Sequence, residues 1–206
     1  MERKELVRQT GKVSLSTILG RFAGLAREVI TASFFGTTLV YDAFLLAFMI
    51  PNFFRGLLAE GALSTAFIPV FTDYWHKKRE KAQEVVSNSV SISLFSTISL
   101  SLFIFLGTTL FLFFHLSPKL YLTFSLLRIT IFYLVFISLS ALCMGILNSL
   151  GQFALPALSP LMLDAFWLLS LFSIVPFLGR TLEEKIFGLA IGVILGGFFQ
   201  FLVQVP

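Results

Sequence analysis

Charge is scarce in this sequence. Its 206 residues hold only 15 basic and 11 acidic side chains, against 26 phenylalanines and an apolar share of 57%. A soluble domain carries roughly a quarter of its residues as charged side chains, so there is too little polar material here to coat a globule of this size. A disordered chain is excluded by the same numbers. With one cysteine, Cys143, no internal disulfide can form; the apolar run around it reads as a buried small residue and carries no information on redox compartment. His76 and His115 stand alone in connections, and there is no H-E-x-x-H, no G-x-S-x-G and no Walker lysine. The carboxylates show no convergent spacing, so the sequence predicts neither an enzyme nor a metal or cofactor site. The formal charge of +4 falls at the edges of apolar runs instead of covering one soluble face, which argues against nucleic acid as a partner.

What is present is hydrophobic length. Mean hydropathy is +0.92, and a membrane-crossing helix needs about 20 mostly apolar residues, so the chain has room for roughly six with short loops. The expected spans are 13–35, 41–58, 86–114, 126–147, 161–178 and 186–203. No stretch alternates polar and apolar residues with period two, so helices are expected and not a lipid-facing barrel. The predicted fold class is an all-α integral membrane protein, a six-transmembrane-helix bundle forming a single lobe over 1–206. Arg21 and Arg27 interrupt the first apolar run, and no small-residue cleavage site follows it, so this segment is expected to stay in the mature protein.

Arg3, Lys4, Arg8 and Lys12 precede the first span, and Lys77, Lys78, Arg79 and Lys81 follow the second; Lys119, Arg180 and Lys185 fall on the opposite side. The positive-inside rule places both termini in the cytoplasm. Between spans two and three, Ala62 to Trp75 reads as a short helix interrupted at Pro69, with Tyr74 and Trp75 as interfacial anchors. The basic cluster after it reads as a topology signal, with an anionic-lipid site as the alternative.

The first span carries the chemistry. Thr10, Ser14, Thr17, Arg21, Gly24, Glu28 and Thr31 recur at steps of three and four, forming one polar and small-residue stripe with Arg27 on its shoulder. An arginine at a helix centre costs about 2.5 to 3.5 kcal/mol on insertion scales, so these side chains are expected to face a polar cavity or one another. One reading pairs Arg21 with Glu28 to hold the bundle together. The other starts from the excess of two arginines over one acid and expects an anion, a phosphate above all, because guanidinium matches its oxygens. Gly20 and Gly24 form a small-xxx-small pair suited to helix packing. In the second span Pro51 should kink the helix and free the carbonyl of residue 47, possible cavity-side acceptor. Asp42 and Arg55 are too far apart on one helix to pair, so each needs another partner; Arg55 could also snorkel to the interface. Arg128 reads as a snorkelling anchor, and Asp164 as a carboxylate hydrated near the interface. Ser138, Ala141, Gly145 and Asn148 make one packing face; Gly188, Gly192, Gly196, Gln200 and Gln204 make another.

The runs Gly20 to Glu28 (GRFAGLARE), Phe35-Gly36, Asp42-Ala43-Phe44, Ile50 to Arg55 (IPNFFR) and Ala59 to Pro69 (AEGALSTAFIP) together closely resemble the MurJ (MviN) lipid II flippases of the multidrug/oligosaccharidyl-lipid/polysaccharide exporter superfamily. The likeness continues more loosely through Asn148, Pro156, Pro160 and the stretch from Gln200 to Pro206. The resemblance implies movement of the undecaprenyl-pyrophosphate-linked peptidoglycan precursor, lipid II, from the inner to the outer leaflet of the bacterial cytoplasmic (inner) membrane by alternating access. Arg21, Arg27 and Arg55 then match arginines that hold the pyrophosphate and sugar headgroup. Asp42 matches an acidic position tied to gating, and Glu28, Pro51, Asn52, Glu60 and Gly24 match gating or structural positions of the same motifs. The implied partners are lipid II and membrane lipids, with no cofactor. Departures are Gly56 and Ile50 where basic residues are common, and Asp164 where an asparagine is expected. The family has two lobes and an additional helix pair, whereas this sequence resembles the amino-terminal lobe only; the second lobe is expected in cis or as a partner chain in trans. The alternatives are an exporter of another lipid-linked oligosaccharide and a non-transporting scaffold in cell-wall synthesis.

Overall fold

The computed structural model describes residues 3–57 and 63–205, with the side chains of these except at 3–10, 12–13, 63–66 and 76. Among the described residues every regular element is helical: α1 (Arg3–Phe35), α2 (Leu39–Arg55), α3 (Leu63–Lys77), α4 (Arg79–Phe111), α5 (Pro118–Thr130), α6 (Tyr133–Ser149), α7 (Ala154–Leu158), α8 (Pro160–Ser173) and α9 (Leu182–Leu202), with a single tight turn at Val175–Phe177 between the last two. Glu60 and Gly61, and the end of the second expected span at Leu58, lie outside the described residues.

Local chemistry sets the helix ends. Gly36 adopts φ +60, the left-handed region open to glycine, and turns the chain out of α1. Thr38 then caps α2, its hydroxyl accepting from the Tyr41 N–H at 3.4 Å. Pro118 opens α5 at a first-turn position where no N–H is needed. A capping box opens α9: the Thr181 hydroxyl accepts from the Glu184 N–H at 3.2 Å, and the Glu184 carboxylate accepts from the Thr181 N–H at 3.1 Å.

Among the described residues three segments are long and apolar enough to cross a membrane, at Arg79–Phe111, Ala154–Phe177 and Leu182–Leu202. A fourth joins them if α5 and α6, bent by 41° at their break, count as one span. The expected fourth span therefore starts too late, since the helical run begins at Pro118 and not at residue 126. The third and sixth spans lie almost wholly within α4 and α9. α1, 33 residues long but charged along its length, and α2, 17 residues long, are not among these segments. Pro69 does not interrupt the short helix after the second span, because α3 runs through it.

In packing, α8 lies against α9, α2 against α5, α6 against α9 and α1 against α8. The glycines of α9 allow the first of these contacts: a Cβ at residue 196 would stand 2.9 Å from the Leu163 Cα, and one at residue 188 would stand 3.1 Å from the Val175 Cα. Leu126, Leu134, Ile137, Leu189 and Val193 fill the centre. A row of rings, Phe35 at the end of α1 followed by Tyr41, Phe44 and Phe48 of α2, stacks in sequence, and Phe44 and Phe48 meet the Trp167 ring edge to face at 5.3 and 5.4 Å. Apolar side chains turned outwards, such as Phe95 and Phe103 on α4 at 77% and 75% exposure, form the surface expected of helices in hydrocarbon.

Candidate functional site: an arginine-bearing cavity between the first, second and eighth helices

Pro51 leaves the carbonyl of Ala47 without its helical donor, as its sequence position requires. That acceptor belongs to fully buried Ala47 and turns into the core, where the Thr130 hydroxyl of α5, shared with the Leu126 carbonyl at 3.2 Å, lies 3.5 Å from it, so it is not the cavity-side acceptor expected. α2 is thereby fixed on α5 along its buried side, and its other side faces a cavity of about 820 Å³ bounded by α1, α2 and the start of α8. Gly24, Arg27 and Glu28 of α1, Asn52 and Arg55 of α2, and Asp164 and Trp167 of α8 all contribute to its wall.

Arg27 is the centre of this wall. Its Nη1 donates to Asp164 Oδ1 at 2.7 Å, and its Nη2 stands 3.6 Å from Glu28 Oε1. The guanidinium carbon lies 4.6 Å from the centre of the Trp167 ring, a cation–π contact. The Trp167 indole N–H donates to the Thr31 hydroxyl at 3.0 Å, and that hydroxyl donates to the Arg27 carbonyl at 2.6 Å. Thr31 is therefore fully buried against α8 and does not belong to the wet side that its place in the stripe suggested. On α2, Arg55 Nε donates to Asn52 Oδ1 at 2.9 Å, an i,i+3 contact that turns the arginine along its own helix into the cavity.

Two expectations change here. Asp164 is not hydrated at an interface: its side chain is 11% exposed and is the ion-pair partner of Arg27, 137 residues away. Nor does the wall carry an excess of positive charge, because Asp164 joins Glu28 opposite Arg27 and Arg55. Glu28 contacts Arg27 and not Arg21. Arg21 is exposed on the same α1 face about two turns before Glu28 and is not part of the cavity wall. Among the described residues Gly20 and Gly24 seat no neighbouring helix, since a Cβ at either meets nothing within 4 Å; Gly24 instead borders the open cavity. Asp42 lies apart from the site, its carboxylate accepting from Lys119 Nζ at 3.0 Å, so its missing partner is the first turn of α5. The guanidinium carbon of Arg128 packs 5.0 Å from the centre of the Phe105 ring.

The residues that the sequence reading missed are Trp167 and, as a partner, Asp164. The available signal was a lone acid in an otherwise apolar run with a tryptophan three residues later on the same helix face.

A family model described as Lipid II flippase MurJ matches residues 31–206. The chain belongs to the MurJ lipid II flippase family. The match begins after Arg21 and Arg27. Lipid II flippase MurJ of Burkholderia cenocepacia is 34% identical over 201 residues, covering 94% of this chain and 38% of the relative. Probable lipid II flippase MurJ of Vibrio cholerae is 36% identical, covering 98% and 41%. The solved structure of a lipid II flippase MurJ in an inward closed conformation superposes with a TM-score of 0.78 at 27% identity, covering 92% of this chain and 40% of that one. The chain thus spans about two fifths of the length of these MurJ relatives.

Proposed function

We propose that these residues form the amino-terminal lobe of a lipid II flippase, a six-span bundle of the bacterial inner membrane with both termini in the cytoplasm. The lobe takes part in moving the undecaprenyl-pyrophosphate-linked peptidoglycan precursor to the outer leaflet, and it is a transporter with no chemical step of its own. The observation that carries this reading is the cavity bordered by Arg27 and Arg55 inside a bundle of apolar helices. An arginine buried among such helices marks a pathway for a charged cargo, and a diphosphate is the group whose oxygens match two guanidinium forks.

In this mechanism the headgroup enters the wet cavity while the polyprenyl tail stays in hydrocarbon. Arg27, held by the Trp167 face, and Arg55, held by Asn52, present N–H groups to the diphosphate from two different helices. Arg21, on the α1 face leading to Glu28, guides the headgroup towards them. Asp42 and Lys119 clasp α2 to α5 at the opposite end of the lobe, where opening and closing against a second lobe takes place. Gly24 keeps the wall low, and Pro51 bends α2 around the cavity. The second lobe is supplied in cis or by a partner chain.

The test is translocation by a chain of full family length, read as outer-leaflet exposure of labelled lipid II headgroup. Arg27→Ala should abolish exposure while membrane insertion persists; undiminished exposure overturns the role given to Arg27.

A further inference from the structure

The cavity is electrically balanced, with Glu28 and Asp164 facing the same space as Arg27 and Arg55. The two acids are not equivalent. Glu28 has a side chain 69% exposed and stands 3.6 Å from Arg27, whereas Asp164 is 11% exposed and accepts a hydrogen bond from Arg27 at 2.7 Å. A carboxylate oxygen at that distance uses the same N–H that a phosphate oxygen would use, with the same charge-assisted geometry. Arg27 does not need to move to exchange one for the other. Trp167 supports its guanidinium from one face, and Thr31 fixes the indole from behind. Arg27 Nε is buried with no hydrogen-bond partner among the described residues, so the guanidinium keeps an unspent donor while Asp164 occupies Nη1.

We propose that Asp164 is a built-in counter-anion: its carboxylate occupies Arg27 until a diphosphate displaces it, and so sets the charge that a ligand must bring before the cavity retains it. The proposal rests on the flippase reading and deepens it. A ligand that offers Arg27 one phosphate oxygen replaces one charged hydrogen bond with another and gains little. A diphosphate that engages Arg27 and Arg55 together brings more charge than the carboxylate it expels, and the freed carboxylate turns to water in the open cavity. Asp164 is in this sense a specificity residue acting through Arg27, by making the wrong ligand compete with an internal one.

The test uses this chain in zwitterionic nanodiscs with Trp75→Phe, which leaves Trp167 as the one tryptophan of the two in the sequence and makes it a fluorescence reporter beside Arg27. The probes are inorganic pyrophosphate and inorganic phosphate. In this background pyrophosphate should bind in preference to phosphate. Asp164→Asn keeps an acceptor for Arg27 but removes the charge; it should tighten pyrophosphate roughly 10-fold or more, the worth of one charged hydrogen bond, and admit phosphate. Asp164→Glu should restore the original affinity and preference. A gain in affinity cannot come from misfolding, so loss of structure does not imitate the expected result. If Asp164→Asn leaves affinity and preference unchanged, or weakens binding, while Arg27→Ala abolishes it, the counter-anion role is overturned and the arginine site stands. If Arg27→Ala also leaves pyrophosphate binding intact, the anion site itself is misplaced and the proposal falls with the reading beneath it.

Discussion

The Arg27–Asp164 pair allows a quantitative prediction about the lobe's stability. Both side chains are mostly buried, at 20% and 11% exposure, and they join α1 to α8. Removing one partner of such a pair leaves a desolvated charge behind, so Arg27→Ala should cost about 3 kcal/mol. With Asp164→Asn already present, no buried charge is left unpaired, since Glu28, the other acid beside Arg27, is 69% exposed. Arg27→Ala then loses chiefly its contact with the Trp167 ring, about 1 kcal/mol. The difference, a coupling of about 2 kcal/mol, lies within the range for residues in direct contact. The assay is reversible unfolding of the four proteins of the cycle in mixed micelles, with helicity as the signal. Additive costs, or a larger loss in the Asp164→Asn background than in the unaltered chain, would refute the claim that these two charges answer each other.

Three more predictions follow from the same geometry. Gly196→Val should destabilise the lobe by about 1 to 3 kcal/mol by forcing α9 away from Leu163, whereas Gly24→Ala, with open space at its Cβ, should leave stability unchanged or raise it by up to about 1 kcal/mol; mixed-micelle unfolding of both variants checks the contrast. Trp167→Phe removes the indole donor to buried Thr31 and should cost about 1 to 2 kcal/mol by the same assay, with weaker anion binding because Arg27 loses its support. Lys119→Ala should change stability by less than about 1 kcal/mol, since its partner Asp42 is 57% exposed, so a translocation defect in a full-length chain with unchanged unfolding would assign the clasp to gating.

The helical class and the apolar runs are legible in the sequence because each follows from local spacing, and so are Arg27 and Arg55 as residues facing a cavity, which Arg21 does not line. The packing glycines of α9 are legible for the same reason: residues 188, 192 and 196 recur at steps of four, and all three meet α8 or the turn after it. The α5–α6 break is different. No glycine or proline lies within Ile129 to Tyr133, and the carbonyl of Ile131, which takes the Leu134 N–H at 3.0 Å, also accepts from the Ser101 hydroxyl of α4 at 3.3 Å, so the bend is contacted by a neighbour 30 residues away. The Arg27–Asp164 pair spans 137 residues, which no periodicity connects. Asp164 was conspicuous as an acid in an apolar run, but its partner depended on how α8 crosses α1. The same crossing buries Thr31, which shares a stripe with the cavity residues and yet serves the tryptophan.

The role proposed for Arg27 and Arg55 is to hold the lipid II diphosphate jointly. Native mass spectrometry of this chain with lipid II tests it most directly, comparing the Asp164→Asn background with the same background carrying Arg27→Ala and Arg55→Ala, so that Asp164 is never left as an unpaired acid. The background should retain lipid II, and the chain that also lacks Arg27 and Arg55 should lose it by at least about tenfold. Equal retention of lipid II by both would contradict it.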